Sequence, residues 1–128
     1  MGKTLFANRG MERRIVVMGL EIATTRVGQS LVFALQGELD VYTVGRFSAA
    51  VDGVNASAPV VVDLSGVDLV DSSGLAALMR LSHRVRPTLC CSQSLVRVLT
   101  ITGLLEQFDI AGPDGEPRTG PPRLPARF

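Results

Sequence analysis

The sequence predicts a small α/β domain, a mixed β-sheet of about four to five strands with helices packed mainly on one side. Three observations carry that expectation. The chain has 128 residues, enough for one compact domain and little more. Val60-Val61-Val62-Asp63-Leu64 is an almost unbroken apolar run, the pattern of a strand buried on both faces in a parallel sheet. Around it, segments alternate as strand, strand, helix, strand, helix, strand, helix, which suits helices laid over a mixed sheet.

Each element has its own signal. Leu20 to Val27 reads as a first strand, and Gly28-Gln29-Ser30 as a turn. Leu31 to Gln36 is a second strand, with Leu31, Phe33 and Leu35 on one face. Gly37-Glu38-Leu39-Asp40 is expected to leave the sheet. Thr43 is placed to cap a helix running to about Val54, with Phe47, Val51 and Val54 on one side. Ala58-Pro59 breaks the chain before the Val60–Leu64 strand. Ser65 to Val70 is expected as a loop, followed by Asp71-Ser72-Ser73-Gly74. Leu75 to about Arg86 is a helix that turns Leu75, Leu78, Met79, Ser82 and Val85 inward, and Pro87 ends it. Thr88 to Cys91 is a short strand. Ser92 caps a last helix with Leu95, Val98, Leu99 and Thr102 near one face, and Gly103 suits its C-terminal cap. Phe108 and Ile110 add a small edge strand.

Composition narrows the function. Hydrophobic residues make up 46% of the chain, enough to build a core and exclude wholesale disorder. The formal net charge is +1, so no overall field draws in nucleic acid or a membrane surface. No run of about 18 apolar residues occurs, so no insertion into a membrane is expected. Ile15 to Leu20 after Arg13-Arg14 is too short for a signal peptide, and Glu21 ends it. Cys90 and Cys91 are neighbours, a spacing that strains a disulfide. The chain thus lacks a disulfide framework and fits a reducing, cytoplasmic compartment.

The charges are unevenly spread: residues 1–14 are net positive, 15–110 net negative and 111–128 slightly positive. Residues 1–13 are expected to be a flexible extension and 14–111 the domain. Residues 112–128 hold five of the seven prolines and three glycines, the composition of a disordered tail. Met11 and Met18 are alternative starts.

Asp71-Ser72-Ser73-Gly74 is the stretch richest in chemistry. It joins a buried strand to a helix start, where backbone N–H groups and the helix dipole favour an anion. A serine there presents its hydroxyl on a rigid base. Phosphate on it would add about −2 charge beside Asp71 and Asp68. Such a serine can equally be a simple N-cap, the commoner role.

The motif Val60-Val-Val-Asp-Leu-Ser-Gly-Val-Asp-Leu-Val-Asp-Ser-Ser-Gly-Leu75 closely resembles the central motif of STAS domains, in particular of bacterial anti-sigma factor antagonists. Gly37-Glu-Leu-Asp40 matches an earlier motif of that family. Thr102-Gly-Leu104, near Phe108, matches a later one. The three occur in order across roughly residues 20–110. The resemblance implies a non-enzymatic switch that binds an anti-sigma factor, usually a serine kinase of GHKL fold, and so frees a sigma factor. It implies phosphorylation at Ser73, the serine before the glycine, which ends binding, and a PP2C-type phosphatase that restores it. Asp40, Asp71, Ser72, Ser73, Gly74 and Leu75 would form the partner surface. Between Gly74 and Gly103 the chain is about half a dozen residues shorter than the family pattern. A trimmed second helix or a poorly formed following strand is therefore expected.

Other candidates are weaker. Ser73 lies outside any Gly-x-Ser-x-Gly motif, and His83 sits about 15 Å further along the same helix, so a Ser–His hydrolase is not expected. His83 reads as a helix-surface residue. Arg80 and Arg84 share a face and read as solvated. Cys90 and Cys91 read as small apolar packing. Asp63 and Asp68 read as capping and solvation rather than a metal site, and no cofactor is expected. The alternative function is a STAS scaffold or accessory subunit of a stressosome-like or lipid-transport assembly, with no phosphorylation switch.

Overall fold

The computed structural model describes residues 12–17, 19–54 and 57–111, the first six by backbone alone. It is the expected α/β arrangement. Six strands, β1 (Glu12–Val17), β2 (Leu20–Val27), β3 (Ser30–Leu39), β4 (Val60–Val70), β5 (Thr88–Cys90) and β6 (Asp109–Ala111), form one sheet in chain order. β1, β2 and β3 are antiparallel neighbours, whereas β3 to β6 run parallel. Three helices, α1 (Val44–Ala50), α2 (Ser72–Ser82) and α3 (Gln93–Thr102), make the crossovers.

The alternation of side chains across strands locates the core. Thr24, Phe33, Val62, Leu89 and Ile110 stand in register across five strands. All but Thr24 join a buried cluster with Phe47 of α1, Leu78 and Leu81 of α2 and Leu99 of α3. The helices therefore cover this face.

Several expectations change. β1 was not foreseen, and it takes in Glu12 and Arg13, the last two residues of the expected 1–13 extension; residues 1–11 and the expected tail, 112–128, lie outside the described residues, as do Met11 and Met18. Gly37-Glu38-Leu39 and Ser65 to Val70 do not leave the sheet but lengthen β3 and β4 by a continued parallel pairing. Register shifts at Ala34/Gln36 and Gly37/Glu38 break the period-2 pattern, which hides the extension from sequence reading. α1 stops at Ala50, short of Val54. α2 stops at Ser82, with His83 exposed at its end, and β5 has only three residues.

The faces of two helices are also rotated. α2 buries Gly74, Ala77, Leu78 and Leu81, while Leu75, Met79 and Ser82 are half-buried. The inward stripe begins with small residues, which periodicity of large side chains overlooks. On α3 only Leu99 is buried; Val98 and Thr102 point outward. Its caps are as expected: Ser92 Oγ accepts from the Leu95 N–H at 3.3 Å, and Gly103 is left-handed at φ +79°.

Arg84 is not simply solvated. Its guanidinium donates to the carbonyls of Val51 (2.7 Å), Asp52 (2.8 Å) and Val54 (3.1 Å). It thereby ties the end of α2 to the turn after α1, whose carbonyls carry the negative end of the helix dipole. Arg84→Ala should lower stability by about 1–3 kcal/mol, read as a lower urea midpoint at unchanged slope. A midpoint equal to wild type would show that the three bonds contribute nothing.

Candidate functional site at the start of α2

The two chain segments that carry the first and second motifs meet at one end of the sheet. β3 and β4 finish side by side, with Leu39 opposite Val70. The chain leaves β3 into the loop Asp40–Thr43 and leaves β4 into α2.

Asp71 joins these two exits. It is the N-cap of α2, and its Oδ1 accepts from the Gly74 N–H at 3.0 Å. Its Oδ2 accepts from the Val41 N–H at 3.2 Å. Its own N–H donates to the Leu39 carbonyl at 3.2 Å. The cap role considered for Ser72 or Ser73 thus belongs to Asp71.

Asp40 stabilises the loop itself. Its Oδ1 accepts from the N–H groups of Tyr42 (2.9 Å) and Thr43 (3.2 Å), the local turn that a short acidic side chain favours. Thr43 was expected to cap α1, but it makes no such cap bond. Instead its buried hydroxyl donates to the Glu38 carbonyl at 2.8 Å and accepts from the Asp40 N–H at 3.0 Å. Bonds of this density hold the loop in one conformation.

Gly74 is buried and faces inward. A Cβ there would lie 2.7 Å from the Leu39 carbonyl oxygen and 2.9 Å from a Val70 methyl. Its absence lets α2 start directly against the ends of β3 and β4. Leu75 is half-buried and packs on the core.

Ser72 is exposed and Ser73 half-exposed in the first turn of α2. Neither hydroxyl has a hydrogen-bond partner among the described residues. Beside them, Val41 is 60% and Tyr42 90% exposed. Sequence reading missed both, because exposure of an apolar side chain depends on which neighbours tertiary structure supplies. The end of the sheet is also acidic: Glu38 and Asp68 are exposed there, and Asp40 and Asp71 half-exposed. The surface therefore offers a hydroxyl, an aromatic anchor and negative charge on a rigid base.

The third motif serves the fold. Gly103 ends α3, the Leu104 N–H returns to the Leu99 carbonyl at 2.9 Å, and Phe108 is buried in the core. Within β4, Asp63 accepts from the N–H and hydroxyl of Ser65.

Cys90 and Cys91 are buried thiols with no disulfide. Burial, with Cys90 and Asp63 nearby, pushes the Cys91 thiol up to about 11. The neutral thiol is the form the fold favours. The unfolded chain deprotonates first, so stability falls as pH rises from about 9 toward 11. Alkylation of the native protein at pH 8 should be slow and should become fast on unfolding. Rapid labelling of Cys91 in the native state would contradict this.

The architecture, with a buried parallel strand feeding a capped helix from Asp-Ser-Ser-Gly, defines a STAS domain. The family model described as "Mlab, STAS domain" matches residues 22–107, and the chain belongs to that family. Among solved structures, it is similar to an anti-sigma factor antagonist from Mycobacterium paratuberculosis. Identity is 24% over 71% of this chain and 84% of that one, with a TM-score of 0.65. It is also similar to the anti-sigma factor antagonist SpoIIAA in its unphosphorylated form. There identity is 21% over 70% of this chain and 87% of that one, with a TM-score of 0.52. No curated protein sequence matches. No helix among the described residues is long and apolar enough to cross a membrane.

Proposed function

We propose that the protein is an anti-sigma factor antagonist controlled by phosphorylation at Ser73. The observation that carries this reading is the geometry of Ser73. Its hydroxyl is accessible in the first turn of a helix whose cap, Asp71, also holds the neighbouring loop. The names of the two similar structures add support.

The unmodified protein binds an anti-sigma factor of the GHKL serine-kinase type in the cytoplasm, and the captured factor releases its sigma factor. Contact is made by the loop Asp40–Tyr42 and the exposed side of the α2 start, with Asp71 and Gly74 acting as positioning residues. The domain has no catalytic step of its own. The kinase transfers phosphate to Ser73, and a PP2C-type phosphatase removes it.

A phosphate at this position is compatible with the fold, because the helix N-terminus stabilises negative charge. It is incompatible with the partner, because it adds bulk and about −2 charge to an already acidic contact surface. The test is incubation of the full chain with ATP in lysate of the native cell, followed by mass spectrometry. Phosphate on Ser73, and its absence from a Ser73→Ala variant, is the expected result. A chain that stays unmodified, or is modified elsewhere, overturns the phosphorylation switch.

A second reading is a STAS subunit held in a larger assembly. Val98, 40% exposed, and Ile101, 76% exposed, favour it by leaving an apolar stripe on α3. Stable recovery of the protein in such an assembly, identical for wild type and Ser73→Asp, would support this reading over the first.

A further inference from the structure

Between α1 and the β2–β3 hairpin the surface opens into a groove of about 420 Å³. A second hollow of about 130 Å³ continues it past Val54 toward Ala58. The groove arises from the sequence of α1 and the turn after it. Ala49, Ala50 and Gly53 line the wall on that side, and such small side chains cannot fill the space to the sheet. Half-buried Leu31 and Val54 give the groove its apolar surface. Phe33, fully buried in the core, closes the floor from beneath.

The rim has a different character. Arg26 of β2 and Arg46 of α1 line the groove and are exposed. No Asp or Glu lines it among the described residues. Neither guanidinium meets a carboxylate or carbonyl among them. Two unengaged cations beside an apolar trench complement a ligand with an anionic head and an apolar tail. The volume falls in the range of small-molecule sites, roughly 300–1,000 Å³.

We propose that this groove binds a single-chain anionic amphiphile. The chain lies over Leu31 and Val54 and the head meets Arg26 and Arg46. A carboxylate and a phosphate monoester share that chemistry. None of these residues belongs to the Asp40–Tyr42 loop or the Asp71–Leu75 turn, so this site does not depend on the antagonist reading.

The test titrates the full chain with decanoate and, separately, with monodecyl phosphate, each below its micelle concentration. Backbone amide NMR shifts report the site. Saturable shifts are expected at residues 24–26, 31–33 and 46–54, and the better of the two heads identifies the source. The Arg26→Ala, Arg46→Ala double variant should bind about tenfold or more weakly. Gly53→Leu should block the trench while leaving both cations in place. No atom lies within 4 Å of a Cβ at Gly53, so the larger side chain starts without a clash, and an unchanged thermal melt is the control for folding. Ser73→Asp should leave binding unchanged.

Several outcomes would overturn the proposal. These are no saturable shift with either ligand, shifts centred elsewhere, or decanol binding as tightly as decanoate. Inorganic phosphate reproducing the same shifts would show an anion site without a tail pocket, and would overturn it too.

Discussion

Ser73→Asp should weaken binding to the anti-sigma factor by about a hundredfold or more, whereas Ser73→Ala should bind like wild type. A hundredfold corresponds to about 2.7 kcal/mol, within the range for placing an uncompensated charge in an interface. The location of Ser73 makes the effect specific. Its side chain makes no hydrogen bond among the described residues, so alanine removes nothing from the fold. An aspartate in the first turn sits at the positive end of the helix dipole. The Asp variant should therefore melt within a degree or two of wild type. Titration calorimetry with the purified partner, run beside a thermal melt, separates the two effects. Equal affinity for both variants would remove Ser73 from the mechanism. Loss of binding together with loss of folding would show a structural rather than an electrostatic cause.

Gly37→Val should destabilise the domain by about 3 kcal/mol or more, a large share of the roughly 5–15 kcal/mol that holds a small domain together. Gly37 has φ +114°. A Cβ there would lie 2.1 Å from the Gly19 carbonyl oxygen and 3.3 Å from the Leu20 Cα. Those neighbours are backbone, so no flexible side chain can yield. The same carbonyl accepts the Glu38 N–H at 2.7 Å, and displacing it would break that bond as well. Gly45→Ala is the contrast, since nothing lies within 4 Å of its Cβ and alanine in the first turn of α1 is the better helix former, by up to about 1 kcal/mol. Urea midpoints for the two variants should move in opposite directions. A Gly37→Val protein as stable as wild type would mean that the β2–β3 contact is looser than described.

The parts of the fold legible in the sequence were those with one dominant local signal. Val60 to Leu64 announced a buried strand by composition, and Ser92 and Gly103 announced the ends of α3 by their capping chemistry. The upper half of the sheet was hidden. Gly37, Gly66 and the polar residues around them look like loop sequence, yet register shifts let them continue the parallel pairing of β3 and β4. Glycine's small size, read as a breaker, was serving close backbone approach.

The family resemblance set the two motifs on one partner surface, but not the contact that joins them. Sequence placed Asp40 in the first motif and Asp71 to Leu75 in the second. The Val41–Asp71 hydrogen bond that joins them spans 30 positions and has no sequence signature. Ser73 as acceptor came from the family resemblance alone; the structure adds that it is half-exposed. The burial of Gly74 and the roles of Thr43 and Tyr42 could not be read, because each depends on what tertiary structure sets beside it.

The order of the six strands in the sheet is the order in which they are synthesised. Among the described residues, no strand inserts between two earlier ones. Every strand after the first therefore finds its only earlier partner already outside the ribosome. The sheet can grow at a single advancing edge, from the β1–β3 meander onward. The serine-bearing turn follows β4 directly, so its platform of β3 and β4 leaves the ribosome ahead of β5 and β6. Chain growth itself can thus template assembly from the N-terminus, a course that shortens the time apolar strands such as Val60–Leu64 spend unpaired and open to aggregation.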